Sequence, residues 1–540
     1  MGDKRNKKRA VQNQQRQSGR AAANSILRQA RAGPATPPAA EWHRRAIAHW
    51  NANRFEEAVA AFLEAHRQAP FDTMVAADCA KALALRYRRE EARALFDKLS
   101  AAHPADPFPC IRAGEAFVEA QEFATALGYY RRAAEMPHCG AGAWMGLARI
   151  AERLHHLDEA EEALTRAESL VPGLPPARVL RAQVCRRRKD LTGAEAYARA
   201  EIDAPLQDAE SRWRAWYELA AVCDLQGRYD EAFEAATRAK QITGAEAESF
   251  RQGNAMAEAE SLELMRALTP AHFLRWREPA AHRPLAVLCG YPRSGTTLIE
   301  QVLDAHPGLV SADESIVMGD DVVSPLRLTR PLEVPWLTVL DEAPPDMLSR
   351  CRDRYFAHTT VFLGEEPGNR ILLDKNPALT LALPAVMRVF PAAKCLIALR
   401  DPRDVAVSCF LQGVPPNAVS AHWQTLGDTA RHLASCLRGW EILRKVLPED
   451  SWREVRYEET TADLPSTAAK SLAFLGLPWD DGVLAFHEHA GRKHVHSPTY
   501  AAVTEPVHRR AVGRWRHYER YLEPHLKILQ PALEAFDHSP

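Results

Sequence analysis

Arg293 lies inside Cys289-Gly290-Tyr291-Pro292-Arg293-Ser294-Gly295-Thr296-Thr297-Leu298, a stretch whose residue types suit the binding of an anion. An apolar run, Leu285 to Leu288, precedes it and reads as a buried parallel strand. Leu298 to Leu303 follows and reads as a helix. A strand, a tight glycine-containing turn and a helix N-terminus bring backbone N–H groups and the positive helix end to one spot. The chemistry expected there is a grip on phosphate, with Pro292, Arg293, Ser294, Gly295, Thr296 and Thr297 as the candidate contacts. The nucleotide-triphosphatase loop G-x-x-x-x-G-K-[ST] is close but not identical. Gly290 and Gly295 keep its spacing, Thr296 stands where that motif has Lys, and Arg293 supplies the charge from within the loop. A chance glycine-rich turn accounts less well for the flanking strand and helix.

Other charged residues stand at comparable places. Cys395 to Leu399 reads as a strand that ends in Arg400-Asp401-Pro402-Arg403-Asp404-Val405-Ala406-Val407-Ser408. A turn can fold so that Arg400 and Ser408, eight residues apart, meet one phosphate. Arg403 has two readings, a further contact or a surface charge at a helix start. Ile371-Leu372-Leu373-Asp374-Lys375-Asn376-Pro377 reads as a short strand whose terminal Lys375 is held by a proline-stiffened turn. Glu314 follows Arg293 by 21 residues, within Ser311-Ala312-Asp313-Glu314-Ser315. Tyr457 closes a further strand in Val455-Arg456-Tyr457-Glu458. Ser497-Pro498-Thr499-Tyr500 leads to Val512-Gly513-Arg514-Trp515, where Arg514 reads either as a site residue or as a surface helix charge.

The run Pro292 to Thr297 resembles the 5′-phosphosulfate loop of sulfotransferases, which use 3′-phosphoadenosine-5′-phosphosulfate (PAPS). Arg400 and Ser408 look like that superfamily's 3′-phosphate site. Within it, the arrangement is most similar to protein-tyrosine sulfotransferases. They share the PRSGTTL loop, the Leu303 to Pro307 turn, a Glu at the offset of Glu314, the Lys375-Asn376-Pro377 turn and the R-D-x-R segment. The resemblance covers residues 284–520 and implies Glu314 as base, with Arg293 and Lys375 stabilising the sulfuryl group. It also implies that Tyr457, Thr499 and Arg514 lie near the nucleotide. Thr499 and Arg514 stand where those enzymes have Ser and Lys. Hydroxyl and charge are kept, but Arg is not a neutral swap, because its planar fork binds oxyanions bidentately.

The reaction so implied moves a sulfuryl group in line from a phosphate to an acceptor hydroxyl, so positioning and charge should dominate. The acceptor must lose a proton, for which Glu314 is the candidate. Fixed cations remove the need for a metal, and none is expected. Asp313 reads as a surface or orienting group. His487, His489, His494 and His496 crowd beside Arg492 and Lys493. They read as a basic loop near the nucleotide rather than as a metal site, since no Cys or carboxylate pair completes the set.

These groups need a frame, and the chain supplies two kinds. In the first half Ala58, Ala92, Ala126, Ala160 and Ala194 recur every 34 residues, with a sixth copy at Ala232 displaced by 38. Pro70, Pro104, Pro137, Pro172 and Pro205 follow the first five. A 34-residue period with a small residue at the helix crossing and a proline at the exit is the tetratricopeptide signature. Such repeats stack into a solenoid with a concave groove that suits a protein or peptide, though some only brace a neighbour. The expected fold is multidomain: an all-α tetratricopeptide solenoid, then an α/β, P-loop-like sulfotransferase domain with a mostly parallel sheet. The expected division is a basic disordered arm and linker over 1–40, about six repeats over 41–243, a helical linker over 244–283 and the catalytic domain over 284–540.

Net charge of −1 gives no bias toward nucleic acid or membrane. The exception is residues 1–32, with nine Lys or Arg against one Asp, which read as a solvated arm. That arm has no apolar core of a secretory signal, and Asn6 argues against myristoylation. No run of about 18 apolar residues is present, so no membrane span is expected. The ten cysteines are scattered without C-x-x-C, and Cys289, Cys395 and Cys409 read as small buried hydrophobes. A reducing, cytoplasmic setting follows. Candidate acceptors are a peptide, a saccharide or a small phenol. A P-loop-like kinase and a non-catalytic repeat scaffold with a vestigial nucleotide fold remain as alternatives.

Overall fold

The computed structural model describes residues 37–204, 208–277, 283–331, 333–490 and 507–537. The basic arm, Pro205, Thr499, His494 and His496 lie outside them. The chain divides into two compact units: Met1–Gly253 with Gly413–Asn417, and Asn254–Gln412 with Ala418–Pro540.

The described residues of the first unit form six helix pairs. They are α1 (Pro37–Asn51) with α2 (Phe55–Gln68), α3 (Thr73–Leu85) with α4 (Arg89–Ala102), and α5 (Phe108–Glu119) with α6 (Phe123–Glu135). Next come α7 (Ala141–Arg153) with α8 (Leu157–Leu170), α9 (Pro175–Arg187) with α10 (Leu191–Ile202), and α11 (Ala209–Leu225) with α12 (Tyr229–Ala267). The spaced alanines Ala58, Ala92, Ala126, Ala160, Ala194 and Ala232 all fall on the second helix of a pair, and each is 0 % exposed. A longer side chain there would have to push a neighbouring helix outward in a close-packed interior. A second periodic device governs the turn inside each pair. Asn53, Tyr87, Gln121, His155 and Lys189 have φ between 59° and 65°, and Gly227 has φ 77°. Each stands two residues before its second helix, reversing the chain in the left-handed conformation that commonly ends helices. The helix α12 continues past its repeat to Ala267, over part of the segment expected as a linker, and its residues from Asn254 onward belong to the second unit.

The second unit carries a five-stranded sheet in the order β2-β3-β1-β4-β5, with every pairing parallel. The strands are β1 (Leu285–Gly290), β2 (Leu309–Asp313), β3 (Ile371–Lys375), β4 (Lys394–Leu399) and β5 (Trp452–Arg456). β1 and β2 are buried along their whole length, as sheets covered on both faces require. The first crossover leads from β1 through α13 (Thr296–Asp304) to β2 on one side. β4 lies on the other side of β1, so strand order reverses beside β1. Ligands of open parallel sheets bind outside the carboxyl ends of strands at such a switch point. The loops after β1 and β4 both open there.

Candidate active site

The loop after β1 is shaped by left-handed backbone. Arg293 has φ 74° and Gly295 has φ 93°. A Cβ on Gly290 would stand 2.4 Å from the Ala398 carbonyl oxygen, and one on Gly295 would stand 2.5 Å from Cδ2 of Tyr457. Neither position has room for a side chain. The loop thus passes tightly between β4 and the residue that follows β5. Ser294, Thr296 and Thr297 are buried, Pro292 and Arg293 partly so. At Gly295 the chain enters α13, whose first N–H groups open toward the loop.

The predicted phosphate residues meet around this loop. Arg293 Nε donates to Ser408 Oγ at 3.1 Å. Arg400 Nη1 donates to the Arg293 carbonyl at 3.0 Å, and its Nη2 donates to the Ala511 carbonyl. The Arg400 guanidinium lies 4.7 Å from the Tyr457 ring centroid, a cation–π contact. Its buried Nε has no hydrogen-bond partner among the described residues. Burial lowers the Arg293 pKa, and the neighbouring Arg400 and Arg514 guanidiniums push it the same way. The sequence left Arg514 open between site and surface. It is partly buried and close enough to act on Arg293 electrostatically.

Asp404 explains how Arg514 arrives there. Its carboxylate accepts from Gly513 N at 2.7 Å and from Trp515 N at 2.8 Å, clasping the backbone on either side of Arg514. Arg403, open between contact and surface charge, is buried. It is paired with Asp401 at 2.8 Å and lies 4.3 Å from the Trp515 ring centroid, so it braces the same segment.

A second cluster forms where β2 and β3 end side by side. Lys375 is 0 % exposed. Its Nζ lies 2.5 Å from Asp313 Oδ1, 2.8 Å from Glu314 Oε1 and 3.9 Å from Glu300 Oε2. Burial works against its charge, but Asp313, Glu300 and Glu314 together raise its pKa above the ordinary lysine value. Glu314 has φ 51°, and its N–H donates to the Lys375 carbonyl at 2.8 Å. Its side chain is about one-third open to solvent, the accessible member of the cluster. Ser311 Oγ donates to Glu300 Oε1 at 2.5 Å. Asp313 is buried, which removes the surface reading and leaves the orienting one.

The sequence did not reveal Glu300, Ser311 and Asp404 as parts of these clusters. No local spacing marks them, because their partners are distant in the chain. Among the described residues Glu258, His422 and His432 form a group that could together ligate a metal, and none of them belongs to the histidine cluster noted in the sequence. No helix among the described residues is long and apolar enough to cross a membrane.

Comparison with known proteins agrees with this architecture. Residues 284–481 match the family model described as Sulfotransferase family, and residues 111–175 and 202–249 match that of the tetratricopeptide repeat. The chain joins tetratricopeptide repeats to a domain of the sulfotransferase family. An uncharacterized protein of Aquifex aeolicus (strain VF5) is 25 % identical over 75 % of this chain and 52 % of its own length. Protein-tyrosine sulfotransferase 1 of Danio rerio is 26 % identical over 43 % of this chain and 65 % of its own. The chain therefore spans between half and two thirds of these curated relatives. Among solved structures, the sulfotransferase domain of the Synechococcus PCC 7002 olefin synthase is 21 % identical, with a TM-score of 0.36, covering 49 % of this chain and 99 % of that one.

Proposed function

We propose that the chain is a PAPS-dependent sulfotransferase acting on an acceptor hydroxyl, with tyrosine in a protein or peptide as the favoured acceptor. The observation that carries this reading is the meeting of Arg293, Arg400 and Arg514 around one glycine-bounded loop, with the buried Arg400 Nε lacking a partner. A buried guanidinium N–H left unpaired costs free energy, which an anion would recover. The residues present fit a donor with two phosphate ends. The loop 292–297 and Arg293 would hold the 5′-phosphosulfate. Arg400 and Ser408 would hold the 3′-phosphate, and Tyr457, Arg514 and Thr499 would lie close by. Bound there, PAPS supplies the sulfuryl group that is transferred.

The protein's own residues supply the rest. Glu314 takes the acceptor's proton on its carboxylate. Until then its charge is balanced by Lys375 at 2.8 Å. Once Glu314 is neutral, that part of the Lys375 charge is free to stabilise negative charge beside it. Arg293 and the loop N–H groups do the same from the other side. No metal is required for this chemistry.

The tyrosine acceptor rests on the kinship with protein-tyrosine sulfotransferases. A repeat groove also suits an extended chain. Saccharides and small phenols are the other acceptors. A reducing, cytoplasmic setting is inferred from the ten cysteines, none of them in a disulfide. The test is thermal: adenosine 3′,5′-bisphosphate should raise Tm, and AMP, lacking the 3′-phosphate, should do so much less. Equal shifts would remove the 3′-phosphate site. A shift with ATP and Mg²⁺ alone would favour a kinase. Tight nucleotide binding without transfer would favour a scaffold.

A further inference from the structure

Tyr291 opens the phosphate loop, and its side chain is buried in a polar cluster that the transfer chemistry does not use. Trp423 Nε1 lies 3.0 Å from the Tyr291 hydroxyl. An indole N–H only donates, so the Tyr291 oxygen accepts from it. Its own proton is then donated to His432 Nδ1, 2.8 Å away, on α15 (Leu426–Leu443), the helix that follows α14 (Pro402–Phe410). That fixes the His432 tautomer with its proton on Nε2, which faces Glu258 Oε1 at 3.7 Å and Cys436 Sγ at 3.9 Å. Glu258 is on α12 and also meets His422 Nε2 at 2.9 Å. The His422 and His432 rings stack at 4.0 Å between centroids with 5° between planes.

The same groups could be read as metal ligands. Two imidazoles bound to one zinc at about 2.0–2.1 Å splay apart from the ion, each holding it in its own ring plane. Rings lying face to face do not aim at one ion. The contacts of Tyr291 with Trp423 and His432 are hydrogen bonds, whereas His422 Nε2 lies 2.9 Å from Glu258 Oε1 as a close polar contact without hydrogen-bond geometry. Burial first, and then the neighbouring His422, push the His432 pKa down to about 4, which keeps its Nδ1 an acceptor at neutral pH.

The loop needs such an anchor. Arg293, two residues on, has φ 74°, a conformation that costs about 1–2 kcal/mol for a residue with a Cβ and persists only when its surroundings impose it. We propose that Trp423 and His432, backed by His422 and Glu258, are positioning residues that clamp the Tyr291 hydroxyl and thereby hold the turn that sets Arg293 beside Ser408. The proposal rests on the donor reading above.

The test compares four single variants with the full-length wild type. Kd for adenosine 3′,5′-bisphosphate is measured by calorimetry well below each Tm, alongside Tm and bound zinc. Tyr291→Phe and His432→Leu should weaken binding roughly five-fold or more, the equivalent of one hydrogen bond. His432→Gln, whose amide oxygen can accept from Tyr291, should recover most of the loss. Leu433→Ala, a core change on the same helix, should lower Tm but leave Kd unchanged. Tyr291→Phe and His432→Leu binding as well as wild type would overturn the clamp, as would Leu433→Ala weakening binding equally. Stoichiometric zinc in the wild type would overturn it in favour of a metal site. A wild type that does not bind the nucleotide would sink the donor reading itself, and the clamp with it.

Discussion

Lys375 Nζ lies 2.8 Å from Glu314 Oε1 while a second carboxylate, Asp313, holds it at 2.5 Å. The two acidic neighbours in sequence therefore have different environments. Asp313 is 1 % exposed and locks the lysine, whereas Glu314 is reachable from solvent. Of the two, only Glu314 has the solvent access that the proposed base requires.

Glu314→Gln should keep nucleotide affinity and lose turnover by about 10²-fold or more, since a neutral amide cannot take a proton. Asp313→Asn should cost stability as well as rate, because it loosens the buried lysine. Equilibrium unfolding and kcat for both variants separate the roles. A Glu314→Gln enzyme with near wild-type kcat would remove Glu314 as base.

Lys375→Met should destabilise the fold by about 3–5 kcal/mol, the range for breaking a buried pair, because Asp313 and Glu300 would remain buried without their cation. Urea unfolding measures it. A loss under about 1 kcal/mol would mean that Asp313 and Glu300 do not depend on Lys375 for compensation.

Arg400→Ala should weaken adenosine 3′,5′-bisphosphate far more than AMP. Asp404→Asn should weaken both only modestly, because it acts on the 513–515 backbone rather than on a phosphate. Titration calorimetry with the two nucleotides checks this. Equal losses for both ligands in Arg400→Ala would take the 3′-phosphate away from Arg400.

How far the sequence carried depended on how local each signal was. Arg293, Ser408 and Arg400 were legible because strand, turn and helix punctuation surround them; the Arg293 side chain meets that of Ser408, and Arg400 reaches the Arg293 carbonyl. The spaced alanines were legible because a helix crossing admits only a small residue. β2 was not, since Leu309-Val310-Ser311-Ala312-Asp313 is short and ends in polar residues that find buried partners only in three dimensions. The left-handed residues at Asn53, Tyr87, Gln121, His155 and Lys189 were equally silent, because five different residue types fill the position and only Asn and His among them favour that conformation.

Asp374 gives a pH prediction. Burial raises its pKa from 3.8 to about 7, with Tyr355 and Lys375 opposing the shift. The folded state then holds a proton that the unfolded state releases above pH 3.8, so stability should fall as pH rises from about 4 to about 7 and level off beyond. The change is on the order of 4 kcal/mol at most. Asp374→Asn should flatten that slope, as unfolding curves at several pH values would show. An unchanged slope would mean that Asp374 is ionised in the folded protein.

The most direct measurement supplies the wild-type protein with PAPS and tyrosine-containing peptides, saccharides or small phenols. It follows released adenosine 3′,5′-bisphosphate together with sulfonate gained by the acceptor in mass spectrometry. Sulfuryl transfer predicts equal amounts of the two products from wild type, and both lower by about 10²-fold or more from Glu314→Gln. Acceptor modification with ATP and Mg²⁺ but not with PAPS, or nucleotide binding with no transfer to any acceptor class, would contradict it.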